Sequence, residues 1–328
     1  MKARGRERAL GGGVESGPMP IRILIAYDGS PAADAAVTTA GGLFEGARGR
    51  VLTLFNQTMG YEQVRRYGFG VDDTTLRENI EALAAEARES GLEVANQGVA
   101  AAEKAGLALE PAAMPSGISP WPPILSAADE IDADVIVCGS RGRGGVARSL
   151  LGSTSSSVLS HSTLPVLVVP KTPADLNGPV LIAYDGSADA RAAIAGAGRL
   201  VSGRRAVIVN VWSSPIRHTL TGRALGGAPM KELRAFVTDY DGMFAEAAES
   251  EVAEGVALAR EAGFDVSGET LESGGSAWHA IADAAERHGA ALIVAGSRGR
   301  SRVASTLLGS VSAGLVHNAE TPTLVIRG

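Results

Sequence analysis

The sequence predicts two α/β domains in tandem, each a doubly wound parallel sheet with helices on both faces. Three observations carry this reading. The heptapeptide LIAYDGS occurs at Leu24–Ser30 and again at Leu181–Ser187. A single shift of 157 residues then lays one half on the other, taking Trp121 to Trp278 and Pro165 to Pro322. Within each half, apolar runs alternate with helix-like stretches in the rhythm of βαβ units.

Each half opens on a near-continuous apolar run, IRILIAY and PVLIAY, as a strand buried on both faces requires. Ala-rich helical stretches follow at 31–45 and 188–202, then second strands at 51–55 and 207–212. A loop that differs between the halves, 59–70 against 214–230, leads into a long helix near 74–105 and 237–262 with apolar residues at helical spacing. Short strands follow Gly106 and Gly263, and a further helix starts near Pro120 and near Ala277. Prolines at 120, 122 and 123 suit a first helical turn, where the missing N–H costs nothing. Fourth strands at 133–138 and 290–295 run into glycine-rich loops, helices start from Gly152 and Gly309, and PVLVV and PTLVI close the halves. The organisation is a tail over 1–19, a first domain over 20–170, a turn-rich linker over 171–178 and a second domain over 179–328. The tail is basic and Gly-rich without an apolar segment, so it reads as disordered and solvated rather than as a secretory signal.

Composition narrows the function classes. A net charge of -6 weighs against a nucleic-acid binder that works by neutralising phosphates. No run of 18 apolar residues is present to form a membrane-spanning helix. Cys138 is the one cysteine, which rules out an intrachain disulfide and fits a reducing cytoplasm. It ends an apolar run, the place of a buried structural thiol.

The stretch that carries chemistry follows the fourth strand. Both halves have the spacing G-x2-G-x9-G-S, through Gly139, Gly142, Gly152 and Ser153, and through Gly296, Gly299, Gly309 and Ser310. Glycine tolerates positive φ and lets a backbone approach a ligand closely. The last Gly-Ser opens a helix, whose N-terminal amides and dipole favour phosphate. A β–α turn with the serine as N-cap is the competing reading. Two copies of the three-glycine spacing, each behind an apolar strand, favour phosphate. The pattern is neither a Walker A loop nor the dinucleotide fingerprint. Asp28 and Asp185 lie just past the first strands, at the carboxyl edge where open α/β sheets bind ligands. A carboxylate there accepts from a ribose hydroxyl, or else it caps the next helix in an Asp-Gly turn.

Arg141, Arg143, Arg298 and Arg300 stand in the glycine loops, where a guanidinium grips phosphate or stays solvated. Trp121 and Trp278 begin equivalent helices and read as packing residues. Tyr61, Tyr67 and Phe69 in the variable loop cover a ligand or pack on the loop itself. His161, His218, His279, His288 and His317 lack metal-ligand spacing. His161 and His317 fall near helix ends, where a cation meets the dipole favourably.

A strand followed by Asp-Gly-Ser, with G-x2-G-x9-G-S downstream, resembles the universal stress protein family over about residues 20–328, as two tandem copies of its ATP-binding branch. The resemblance implies a five-stranded parallel sheet of order 3-2-1-4-5 in each half. It implies ATP, with Mg2+, between the first-strand Asp and the glycine loop. Carried over, Asp28 and Asp185 meet ribose, and Ala26, Leu54, Ala183 and Val211 lie against adenine. Gly139, Arg141, Gly142, Gly152, Ser153 and Ser155 hold phosphates in the first half; Gly296, Arg298, Gly299, Gly309, Ser310 and Ser312 do so in the second. The halves depart from each other where Gly144 and Gly145 become Ser301 and Arg302, and in the loop after the second strand, which puts equal affinity in question.

Three functions are consistent with this. One is an ATP-binding regulatory module with at most slow hydrolysis, since no evident general base or arginine finger is present. The second is an adenylyl-transferring ATP pyrophosphatase, disfavoured because both first strands end in AYDGS rather than SGGxDS. The third is a nucleotide-free scaffold. Pairing of the two terminal strands within the chain would remove an exposed sheet edge. A homodimer and a regulatory protein partner are further expectations.

Overall fold

The computed structural model describes residues 20–56, 73–142, 151–171, 175–214, 230–300 and 308–328. The tail over 1–19, the loop over 59–70 with Tyr61, Tyr67 and Phe69, His218, and Arg143, Gly144, Gly145, Ser301 and Arg302 lie outside them.

The first half runs β1 (Arg22–Ala26), α1 (Pro31–Leu43), β2 (Arg48–Phe55), α2 (Asp73–Lys104), β3 (Ala108–Pro115), α3 (Trp121–Glu130), β4 (Val135–Gly139), α4 (Ser153–His161) and β5 (Val166–Val169). The second half repeats it with β6 (Val180–Ala183), α5 (Ala188–Val201), β7 (Arg205–Trp212), α6 (Met230–Glu261), β8 (Asp265–Glu272), α7 (Ala277–Arg287), β9 (Leu292–Gly296), α8 (Ser310–Asn318) and β10 (Thr323–Ile326).

The strands form a single ten-stranded sheet of order β3-β2-β1-β4-β5-β10-β9-β6-β7-β8. Each half is parallel and has the expected 3-2-1-4-5 order. The halves meet through one antiparallel pair, β5 with β10, where Leu167 faces Leu324. The chain thereby pairs two strands that would otherwise be sheet edges, a standing aggregation risk.

The central strands are apolar because both faces are covered. Ile23, Leu24, Ile25, Leu181 and Ile182 are fully buried. On one face, α1, α2, α5 and α6 share a single apolar cluster that mixes both halves. On the other, α3 and α4 pack over the first half, and α7 and α8 over the second. Small residues set the spacing: a β-carbon on Gly98 would stand 2.8 Å from Val51, and one on Gly255 would stand 2.9 Å from Ile208.

Two arginines of the second half close helix ends in the first. Arg327 donates to the carbonyls of Leu159 and Ser160 at 3.2 and 2.7 Å, at the C-terminus of α4. Arg204 donates to the Gly42 carbonyl in the last turn of α1 and to Leu176 in the linker, each at 2.8 Å. A cation there satisfies orphan carbonyls and complements the helix dipole.

Trp121 packs, as expected: its ring stacks on His161 with centroids 4.0 Å apart. Trp278 instead lies over Gly314, whose absent side chain makes the room. His161 and His317 both fall in the last turn of their helices, α4 and α8. No helix among the described residues is long and apolar enough to cross a membrane.

Candidate functional site

Both sites are assembled at the carboxyl edge of the sheet, where β1 or β6 stands between strands that run on to opposite sides. The Asp-Gly-Ser turn has the same construction twice. Asp28 Oδ1 accepts from the Ser30 amide at 3.0 Å, and Asp185 Oδ1 accepts from the Ser187 amide at 3.0 Å. Gly29 and Gly186 supply the left-handed backbone this turn needs, with φ of 72 and 73°. Ser30 and Ser187, not the aspartates, cap the following helices by accepting from Ala33 and Ala190. Each aspartate therefore spends one oxygen on its own turn and directs the other at the glycine loop.

The loop meets it at close range. A β-carbon on Gly142 would stand 2.6 Å from Asp28 Oδ2, and one on Gly299 would stand 2.7 Å from Asp185 Oδ2. Gly139 and Gly296 are equally confined, against the backbone of Ala32 and Asp189. Sequence reasoning attributed these glycines partly to positive φ; the structure corrects that. None of Gly139, Gly142, Gly152, Gly296, Gly299 and Gly309 has a left-handed backbone. Close approach is the reason at the first two positions of each loop.

The third glycine has another role. Gly152 and Gly309 are themselves the N-caps of α4 and α8, without a side-chain cap bond. The serine N-cap of the competing reading is therefore absent: Ser153 and Ser310 are the first helical residues, both exposed. First-turn amides lacking a side-chain cap are suited to an anion. Ser155 and Ser312 are buried and donate their hydroxyls to the carbonyls of Gly139 and Gly296. They tie the helix start to the strand end, so what they offer a ligand is the backbone amide. Ser30 Oγ donates to the Arg141 carbonyl at 3.3 Å, joining the Asp turn to the loop.

These parts surround two cavities, of about 590 Å³ in the first half and about 460 Å³ in the second. Such volumes suit a small ligand. Ala26, Asp28, Leu54, Gly139, Arg141, Gly142, Gly152, Ser153 and Ser155 all line the first. Ala183, Asp185, Val211, Gly296, Arg298, Gly299, Gly309, Ser310 and Ser312 all line the second. Each cavity thus has apolar walls beside the strand ends, a carboxylate at the edge and backbone donors beyond it. Among the described residues no cluster of His, Cys, Asp or Glu could hold a metal ion by itself.

Several lining residues were not assigned to a site from the sequence. Cys138 lines the first cavity, with burial pushing its thiol up to about 11 against a smaller opposing effect of Ser155. Asn210, Phe244 and Glu251 line the second. Glu251 stands 49 residues from Arg300 yet pairs with it, and the one cue available was its alignment with an apolar residue, Val94, in the other half.

The sequence model of the universal stress protein family matches this chain twice, over residues 19–170 and 177–327. A universal stress protein of Mycobacterium tuberculosis is 32% identical over 216 residues, covering 64% of this chain and 66% of the relative. One of Mycolicibacterium smegmatis is 32% identical over 211 residues, covering 60% of this chain and 62% of the relative. The chain thus spans just under two thirds of these curated relatives. Among solved structures, a universal stress protein of Archaeoglobus fulgidus has a TM-score of 0.53 at 23% identity, covering 93% of this chain and 96% of that one. That likeness concerns the fold.

Proposed function

We infer, for a chain that belongs to the universal stress protein family, a regulatory role exercised through ATP binding, with one pocket in each half. The observation that carries this is the apposition of Asp28 with Gly142 and of Asp185 with Gly299, each across the mouth of its own cavity. In this reading Asp28 and Asp185 accept from ribose hydroxyls. Ala26, Leu54, Ala183 and Val211 flank adenine. The first turns of α4 and α8, with Gly142 and Gly299, receive the phosphates, and Arg141 and Arg298 stand beside them. Mg2+ would neutralise phosphate charge once bound with the nucleotide.

The output is a change in shape or partner binding rather than fast turnover. The sequence carries no evident general base or arginine finger for fast chemistry, so this reading includes at most slow hydrolysis. The compartment that fits a lone buried thiol is the reducing cytoplasm.

A second reading has its own observation. The β5–β10 pair joins two complete sheets, as a scaffold acting through protein contacts would need. Titration of ATP separates the readings. Loss of binding in the Gly142→Leu, Gly299→Leu double variant supports the nucleotide role; affinity equal to that of the parent protein contradicts it.

A further inference from the structure

The two cavities share one plan but differ in charge, and the difference falls on the arginines of the second glycine loop. Asp189 Oδ2 lies 3.5 Å from Arg298 Nε and accepts from the Arg298 amide at 3.1 Å and from Ser297 Oγ at 2.8 Å. Glu251 Oε1 pairs with Arg300, and its Oε2 accepts from Asn210 Nδ2 at 2.7 Å. Arg300 is fixed further by its Nε, which donates to the Asp185 carbonyl at 2.6 Å, and by its amide, 3.2 Å from Asp185 Oδ2.

The first half cannot build this arrangement. The 157-residue shift puts Ala32 at the place of Asp189, Val94 at that of Glu251 and Thr53 at that of Asn210. Thr53 donates its one hydroxyl to the Tyr27 carbonyl at 2.9 Å. Asn210 makes the same bond to the Tyr184 carbonyl at 2.9 Å and has a second N–H left for Glu251. The second half therefore adds two carboxylates at the loop; within the loop Arg302 for Gly145 is offset by Ser305 for Arg148, and the one base added nearby is Arg327, which stands at the place of Pro170 and feels Asp189. The cavities differ accordingly. The second reaches over the sheet edge to Phe244, Ala248 and Glu251 on α6. Among the described residues the first touches no part of α2.

A phosphate entering the second pocket must compete with Glu251 and Asp189 for the two arginines. Every further phosphate charge also adds repulsion from both carboxylates. Resting on the nucleotide reading above, we propose that the second pocket selects nucleotides of low phosphate charge, nucleoside monophosphates over triphosphates, with Glu251 and Asp189 as its specificity-determining residues. The first pocket takes the triphosphate. The chain then carries two unlike sensors rather than two copies of one.

The test titrates ATP and AMP into single-site proteins. Gly142→Leu fills the first pocket and Gly299→Leu the second; each new side chain meets the movable end of an aspartate, so the fold survives. The ratio of ATP to AMP affinity is expected to be at least about tenfold lower at the second site than at the first. In the Gly142→Leu background, Glu251→Gln with Asp189→Asn keeps shape and removes charge. That variant should gain about tenfold in ATP affinity and change little toward AMP. Glu251→Val with Asp189→Ala, the residues of the first half, should behave alike. Equal ATP to AMP ratios at the two sites, or no gain on removing the carboxylates, overturns the selectivity while leaving nucleotide binding intact. Absence of binding in the parent protein overturns the functional reading and this inference together.

Discussion

Gly142 leaves 2.6 Å between the place its β-carbon would occupy and the Asp28 Oδ2 atom, 114 residues earlier in the chain. Gly299 and Asp185 repeat the distance within a tenth of an ångström, at 2.7 Å. A carboxylate and a glycine loop are thus held in contact by two separate strand ends, twice in one chain. Any side chain at either glycine must displace the carboxylate or block the cavity.

Substitution at one glycine should silence one pocket. Gly142→Leu is expected to halve the nucleotide bound at saturation, and Gly299→Leu to do the same. Equilibrium dialysis with labelled nucleotide counts the sites. Because the displaced group is a flexible side-chain end, thermal stability should fall by no more than about 1–3 kcal/mol.

The seam between the halves should be structural. Leu167 and Leu324 face each other across the antiparallel β5–β10 pair and are fully buried. Leu324→Ala should destabilise the protein by about 2–5 kcal/mol. Since one apolar cluster mixes both halves, denaturant unfolding should follow one transition for both. Two separated transitions in the parent protein would show that the halves fold independently.

An acidic dependence is expected from Glu269 on the edge strand β8. Burial pushes its carboxyl up, but bonds from His288 and Arg287 outweigh this and hold it below its ordinary value. A depressed carboxyl stabilises the fold at neutral pH, and the contribution is lost as pH falls through its folded value. Glu269→Gln should therefore cost up to about 1 kcal/mol at pH 7. The difference from the parent should vanish well below pH 4.5, the ordinary value. Unfolding curves at both pH values check the sign.

Cys138 should be inert while the protein is folded. It is 3% exposed, and its thiol is pushed up to about 11. Thiolate is the reactive form, so modification at pH 8 should be slower than for an unfolded control by about a hundredfold or more. Modification at the rate of the denatured chain would contradict the burial.

Much of this was legible in the sequence because the chain was written twice. Gly139 and Gly296 announce the loop only through their shared spacing to Asp28 and Asp185, a relation that a single copy would leave ambiguous. The edge strands were harder. β3 reads ALEPAAMP and β8 reads DVSGETLE; neither has the apolar run of β1. Pro111 is tolerated because β3 pairs on one side with β2 alone. β2 likewise begins three residues earlier than its apolar run, at Arg48, since polar residues there still form ladder bonds at the sheet margin. In the site, the carboxylates on Arg298 and Arg300 were missed. Asp189 lies 109 residues from Arg298, and Glu251 sits in the middle of a long helix that reads as amphipathic packing. Comparison of the halves position by position, Ala32 with Asp189 and Val94 with Glu251, holds that signal.

The central claim is that each half holds a nucleotide, and native mass spectrometry of gently purified protein tests it most directly. Up to two nucleotide-sized mass additions per chain, both lost in the Gly142→Leu, Gly299→Leu double variant, is the result expected here. A bare chain mass that stays unchanged after incubation with saturating ATP and AMP would contradict it.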